Sequence, residues 1–173
     1  MATAQEELGV LIACADRNEA GLICRAFKRL SSVARLTTVP DGDEVVTYLE
    51  GKGKYADRAA CPLPRLLIVD EWLPRLSGIE ILRWVRSDPR WKELPVVILR
   101  EASPPAQPEL VERLKAAYCT KALKFQGLVA ALEVAVCTAL RLAWPSALTS
   151  GATVFVPQTP PSVDLKIRLE CSQ

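Results

Sequence analysis

A chain of 173 residues, 50% hydrophobic and 24% charged, is long enough for one ordinary domain with a short appendage and too short for two full domains. Its formal net charge is +2 and no run of Lys or Arg marks a nucleic-acid surface. The sequence contains no His, and its six cysteines (Cys14, Cys24, Cys61, Cys119, Cys137 and Cys171) lack metal-ligand pairing, which argues against a structural zinc site and against His-based catalysis. The start, MATAQEELG, is short, polar and acidic, unlike a signal peptide, so reduced cysteines in a cytoplasmic protein are expected.

In chain order, residues 10–13 form an apolar run of strand length. Asp16-Arg17-Asn18-Glu19 has the form of a capping box, and Leu22, Ile23, Ala26, Phe27 and Leu30 follow at helical spacing. Residues 35–39 suit a second strand, and Asp41-Gly42-Asp43-Glu44 opens a helix that buries Val45, Val46 and Leu49. After a loop over 51–64 comes a branched apolar run, 66–69, which suits a strand buried on both faces. Ser77 to Glu80 repeats the capping signature, and Ile81, Leu82 and Val85 carry a third helix to Asp88-Pro89. Residues 95–99 form a fourth buried strand; Pro108 opens a short helix with Leu110, Val111 and Leu114; residues 117–121 form a fifth strand. Strands alternating with helices imply parallel pairing through right-handed crossovers. The expectation is an α/β fold with a doubly wound, five-stranded parallel sheet of flavodoxin-like order 2-1-3-4-5.

The last helix, over residues 125–144, is apolar nearly all round. Between Leu128 and Trp144 its only charges are Glu133 and Arg141, and two charges in so short a run argue against a membrane span. A second apolar face needs a cover, supplied by the chain's own tail or by a second copy. A homodimer with Leu128, Leu132, Val136, Leu140 and Trp144 at its interface is therefore expected. Beyond Pro145, residues 153–156 and 163–169 read as strands separated by PQTPP. The chain thus divides into a domain over 1–145 and a hairpin-like β extension over 146–173.

The chemistry centres on RLLIVDEWLPRLSG, residues 65–78. The buried run breaks at Asp70, followed by Glu71, Leu73-Pro74, three residues and Gly78. A carboxylate at the carboxyl end of a parallel strand sits where open α/β sheets place functional groups. This string resembles the phospho-acceptor segment of bacterial response-regulator receiver domains, and residues 9–144 follow that family's order of elements. The resemblance implies two-component signalling, with Asp70 as the phospho-acceptor equivalent. It further implies an acidic pair after the first strand that holds Mg²⁺, a Thr or Ser ending the fourth strand, and a Lys ending the fifth. Those groups offset the dense negative charge of a transferred phosphoryl group.

Several positions depart from that pattern. Cys14 and Ala15 stand where the acidic pair belongs, and neither is a hard oxygen ligand. Asp16 is either a substitute ligand or a helix cap, and Glu19 three residues on favours the cap. Arg100 replaces the Thr or Ser; it either pairs with Asp70 in place of the metal, the favoured reading, or points to solvent. Lys121 matches the family's Lys but precedes Ala122 where Pro is usual. Trp72 is placed to shield the Asp70 carboxylate. Cys14 is either a packed strand-end residue, which is favoured, or a thiol activated by Arg100 or Lys121. Taken together, the residues suggest a degenerate pseudo-receiver. It would be a phosphorylation-independent protein–protein interaction module without catalytic residues, metal or cofactor, meeting an unidentified signalling partner. The competing reading is a phospho-accepting single-domain response regulator whose metal site is rebuilt from Asp16, Asp70 and Glu71.

Overall fold

The computed structural model describes residues 8–32, 34–101 and 107–143. Five strands, β1 (Gly9–Ala13), β2 (Arg35–Val39), β3 (Leu66–Asp70), β4 (Val96–Arg100) and β5 (Ala117–Thr120), alternate with five helices. The helices are α1 (Arg17–Leu30), α2 (Gly42–Glu50), α3 (Gly78–Ser87), α4 (Pro108–Arg113) and α5 (Phe125–Ala143). All strand pairs are parallel and the order is β2-β1-β3-β4-β5, the expected flavodoxin-like arrangement. The tail strands, Trp144 and the boundary at 145 lie outside the described residues.

The sheet divides the apolar interior into two cores. Val10, Ile12, Leu66, Ile68, Val97 and Leu99 face α1 and α5, while Leu11, Val69, Val96 and Ile98 face α2 and α3. Residues 66–69 have no exposed surface, as a central strand covered on both sides requires. Each large aliphatic side chain buried in this way contributes about 1.5–3 kcal/mol. α3 opens with a complete Ser77–Glu80 capping box, as its sequence predicts. Leu22 departs from expectation: α1 buries Ala20, Ile23, Ala26, Phe27 and Leu30, and leaves Leu22 exposed.

The expected interface on the last helix is corrected. Leu128, Leu132 and Val136 are buried in the chain's own core, with Leu140 packed against them. The outward face carries Gln126, Ala130, Val134 and Thr138 instead. α5 is apolar nearly all round by count, but Leu128, Leu132, Ala135, Val136 and Ala139 point inward, and Phe125 and Val134 are exposed. No helix among the described residues is long and apolar enough to cross a membrane.

The loop from Glu71 to Ser77 is squeezed between two glycines. A Cβ on Gly78 would lie 2.5 Å from the Asp70 carbonyl oxygen, and one on Gly42 would lie 2.5 Å from the Leu76 carbonyl oxygen and Cβ. Within the loop Arg75 holds a positive φ of 70°, and its guanidinium reaches Asp43 at 3.0 Å and Asp41 at 3.5 Å. Leu76 and the Gly of the motif are therefore part of a packing arrangement at the mouth of β3. Gly78→Ala is expected to destabilise the fold by about 1–3 kcal/mol, because the added methyl meets backbone that can move only with the strand. Denaturant unfolding measures this, and an unshifted midpoint would show that the loop yields freely.

Candidate functional site

Side chains on a strand alternate between the two faces of a sheet. Cys14, one residue past β1, shares a face with Val10 and Ile12, and packs in the core beneath α1 and α5. Asp70 continues the alternation of Leu66 and Ile68 onto that face, and Lys121 continues Ala117 and Cys119. Main-chain pairing fixes the heights: the Glu71 amide donates to Leu99 O at 2.8 Å and the Lys121 amide to Arg100 O at 2.8 Å. Three side chains from three strand ends thus converge at the N-terminus of α1.

The centre of the cluster is the Lys121 ammonium. It lies 2.7 Å from Asp70 Oδ2, 2.7 Å from Glu19 Oε1 and 3.4 Å from Glu101 Oε1. Its three donors thus have three carboxylates to meet. Burial alone would lower the Lys121 pKa, but the hydrogen bonds to Asp70 and Glu19 outweigh it and hold the pKa above its ordinary value. Asp70 is 6% exposed, and burial pushes its carboxyl above the usual range, while the Lys121 contact pulls the other way. Among the described residues, the other Asp70 oxygen, Oδ1, receives only the Trp72 amide at 3.4 Å, longer than an ordinary hydrogen bond.

Glu19 is the site residue that the sequence reading missed, having cast it as the return half of a capping box. Asp16 does cap α1, accepting from the amides of Asn18 and Glu19 at 2.8 Å each. The Glu19 side chain turns away to Lys121 and to the Cys14 thiol, which donates to Glu19 Oε2 at 3.5 Å. Cys14 is not activated by a neighbouring cation: burial first, and then the Glu19 charge, push its thiol up to about 12. It is the protonated, packed strand-end residue favoured above.

Arg100 does not pair with Asp70. It follows Leu99 in β4, so alternation turns it to the opposite face, where its guanidinium lies over the Tyr118 ring at 5.5 Å. Glu71 is one residue past Asp70 and falls on that second face by the same count; it is buried, and its charge helps to raise the Tyr118 pKa after burial. Among the described residues, Arg100 Nε is buried without a hydrogen-bond partner. Trp72 is 69% exposed, so its amide, and not its ring, is what touches Asp70. Ala15 is exposed and offers only a methyl group.

These residues do not fit Mg²⁺, which requires several hard oxygens in near-octahedral array. The acidic pair is replaced by a protonated thiol and a methyl, Asp16 is occupied in capping, and Glu71 is on the far face. The donors that do converge are Cys14, Glu19 and Asp70, whose ligand atoms lie within 4.8 Å of one another.

No family model matches the chain. It is 34% identical over 98 residues to the "Probable methanogenesis regulatory protein FilR2" of Methanothrix harundinacea, and 27% identical over 90 residues to the response regulator Rcp1 of Synechocystis. These matches span 54% and 52% of the chain and 59% of each relative's own length. Among solved structures it resembles the phosphorylated cyanobacterial phytochrome response regulator RcpA, with 25% identity and a TM-score of 0.64, over 82% of this chain and 96% of that one. These likenesses support a response-regulator receiver domain.

Lys121→Met is expected to lower stability at pH 7 by roughly 3 kcal/mol, the lower end for a broken buried pair because the Glu101 side is wet. The pH dependence has a defined sign. Burial raises the Asp70 pKa in the fold, and losing Lys121 raises it further, so the folded variant takes up a proton before the unfolded chain does. The deficit therefore narrows as pH falls through the carboxylate range. In the parent chain the raised Lys121 pKa contributes stability present below its ordinary 10.5 and lost as pH climbs beyond it. Arg100→Thr should not reproduce the narrowing that follows from Asp70, since Arg100 faces Tyr118 on the opposite side of the sheet. Denaturant midpoints from pH 4 to pH 7 test both, and an Arg100→Thr profile copying that of Lys121→Met would contradict this geometry.

Proposed function

We propose that this receiver domain acts as a phosphorylation-independent protein–protein interaction module in cytoplasmic two-component signalling, a pseudo-receiver and not an enzyme. The observation that carries the reading is the chemistry beside Asp70. A phosphoryl group arriving there brings charge onto its equatorial oxygens, and a receiver needs a divalent cation to offset it. The residues placed for such a cation are Cys14, with a protonated thiol, and Ala15. One ammonium, Lys121, already serves Asp70 and Glu19, so an incoming phosphoryl group meets an uncompensated carboxylate instead of a metal.

One observation favours the phospho-accepting alternative: Lys121 does reach Asp70, at 2.7 Å, although Ala122 follows it and every described peptide bond is trans. The two readings separate on incubation with acetyl phosphate and Mg²⁺. The intact mass is expected to stay unchanged; a stoichiometric phosphoryl adduct that disappears in Asp70→Asn would overturn the proposal.

Self-association through the last helix belongs to the same reading, relocated to the outward stripe of Ala130, Val134 and Thr138. Val134 is 67% exposed, and positions four apart form one face along the helix. Size-exclusion chromatography with light scattering should give a dimer at micromolar concentration, and Val134→Glu should give a monomer. A monomeric parent chain would rule out this contact.

A further inference from the structure

We infer that the groove between α1 and the start of α5 is a docking site for the chain's own tail, with residues 163–169 as its occupant. The groove has a volume of about 580 Å³ and is lined by Leu22, Cys24, Arg25, Lys28, Arg29 and Phe125. Leu22 and Phe125 are 39% and 38% exposed, although both are large apolar side chains. The inference goes beyond the proposed function, which concerns Asp70 and the outward face of α5, because it assigns a contact within one chain.

The lining says what kind of occupant fits. Its apolar members come from both helices, and Cys24 packs partly against the core beneath them. Covering exposed apolar surface drives such a contact. The three cations of the lining meet no acid among the residues that share it, so carboxylates at the occupant's margins are favoured. Residues 163–169, VDLKIRL, meet both demands by sequence. In an extended chain Leu165, Ile167 and Leu169 share one face, about 13 Å long. The stretch of α1 from Leu22 to Arg29 is about 10 Å long, a close match. Asp164 and Glu170 bracket that apolar face and are the only acids after Glu133, while Lys166 and Arg168 fall on the other face.

The length of the tail and its point of departure favour it over a second copy. The last described residue, Ala143, ends α5 about 27 Å from Phe125, which begins it and lines the groove. Residues 144–162 carry no charge and reach up to roughly 60 Å when extended, so the tail can double back along α5. A tethered segment meets its site at an effective concentration of about millimolar. A separate copy at micromolar concentration competes poorly with that.

Two cysteines make the contact testable in the full-length chain. Cys24 lines the groove, and Cys171 continues the odd-numbered face of Leu165, Ile167 and Leu169. A short bismaleimide, which joins two thiols without an oxidant, is expected to link Cys24 to Cys171 within one chain, read by mass spectrometry of the digested monomer. N-ethylmaleimide should modify Cys24 roughly tenfold faster in a Leu165→Lys, Ile167→Lys variant than in the parent chain. Cys61, in the loop after α2, should react at the same rate in both. Far-ultraviolet circular dichroism confirms that the variant is folded, and the cross-link in the parent chain needs no variant. Links only between two chains, no Cys24–Cys171 link, or equal Cys24 rates in parent and variant overturn the inference. Neither readout involves Asp70 or phosphate, so the failure of either proposal is visible independently of the other.

Discussion

Everything at the carboxyl edge of the sheet depends on one buried ammonium. Lys121 is held by carboxylates from β3 and α1, so a single cation joins β5, β3 and the first turn of α1. Removing charges from water is costly, and such a cluster persists only where geometry and hydrogen bonds are both good. Here both close contacts are 2.7 Å. Glu19 gives up the return half of a capping box to take part, which leaves Asp16 to hold the helix end alone. The arrangement fixes where α1 starts, and α1 with α5 forms one wall of the larger core.

The sheet keeps two polar clusters apart at the same edge. On the α1 side lie Cys14, Glu19, Asp70 and Lys121; on the other lie Glu71, Arg100 and Tyr118. Strand neighbours in sequence, Asp70 with Glu71 and Leu99 with Arg100, are thereby assigned to different surroundings. The first cluster closes its charges on one another, whereas in the second Arg100 Nε is buried without a partner among the described residues. An Arg over an aromatic face is attracted by the ring quadrupole, which accounts for where Arg100 rests but leaves its Nε unsatisfied.

The fold was legible in the residues because each signal was local: apolar runs of strand length, caps such as Ser77 with Glu80, and Pro108 at the start of α4. Asp70 and Lys121 were legible for the same reason, since a strand end is a position in sequence. The Arg100 pairing went astray because adjacency of strand ends was taken as adjacency of side chains. Counting by twos from Val97 and Leu99 places Arg100 on the wrong face for Asp70. Glu19 was hidden because a capping box and an ion-pair partner call for the same residue in the same first turn. The composition of α5 showed how apolar it is, but not which stripe faces inward: Leu128, Leu132 and Val136 do, whereas Val134 does not.

The packing of the loop after Asp70 has a consequence for which positions of the site can vary. Leu76 is held by contact with Gly42 and Gly78 by contact with the Asp70 carbonyl, so the glycine that closes the loop is enforced by folding whether or not phosphate ever reaches Asp70. Position 15 carries no equivalent obligation, because Ala15 is exposed. The two ends of the site are therefore under different constraints: a side chain added at Gly78 is met by backbone, whereas one enlarged at Ala15 is met by solvent.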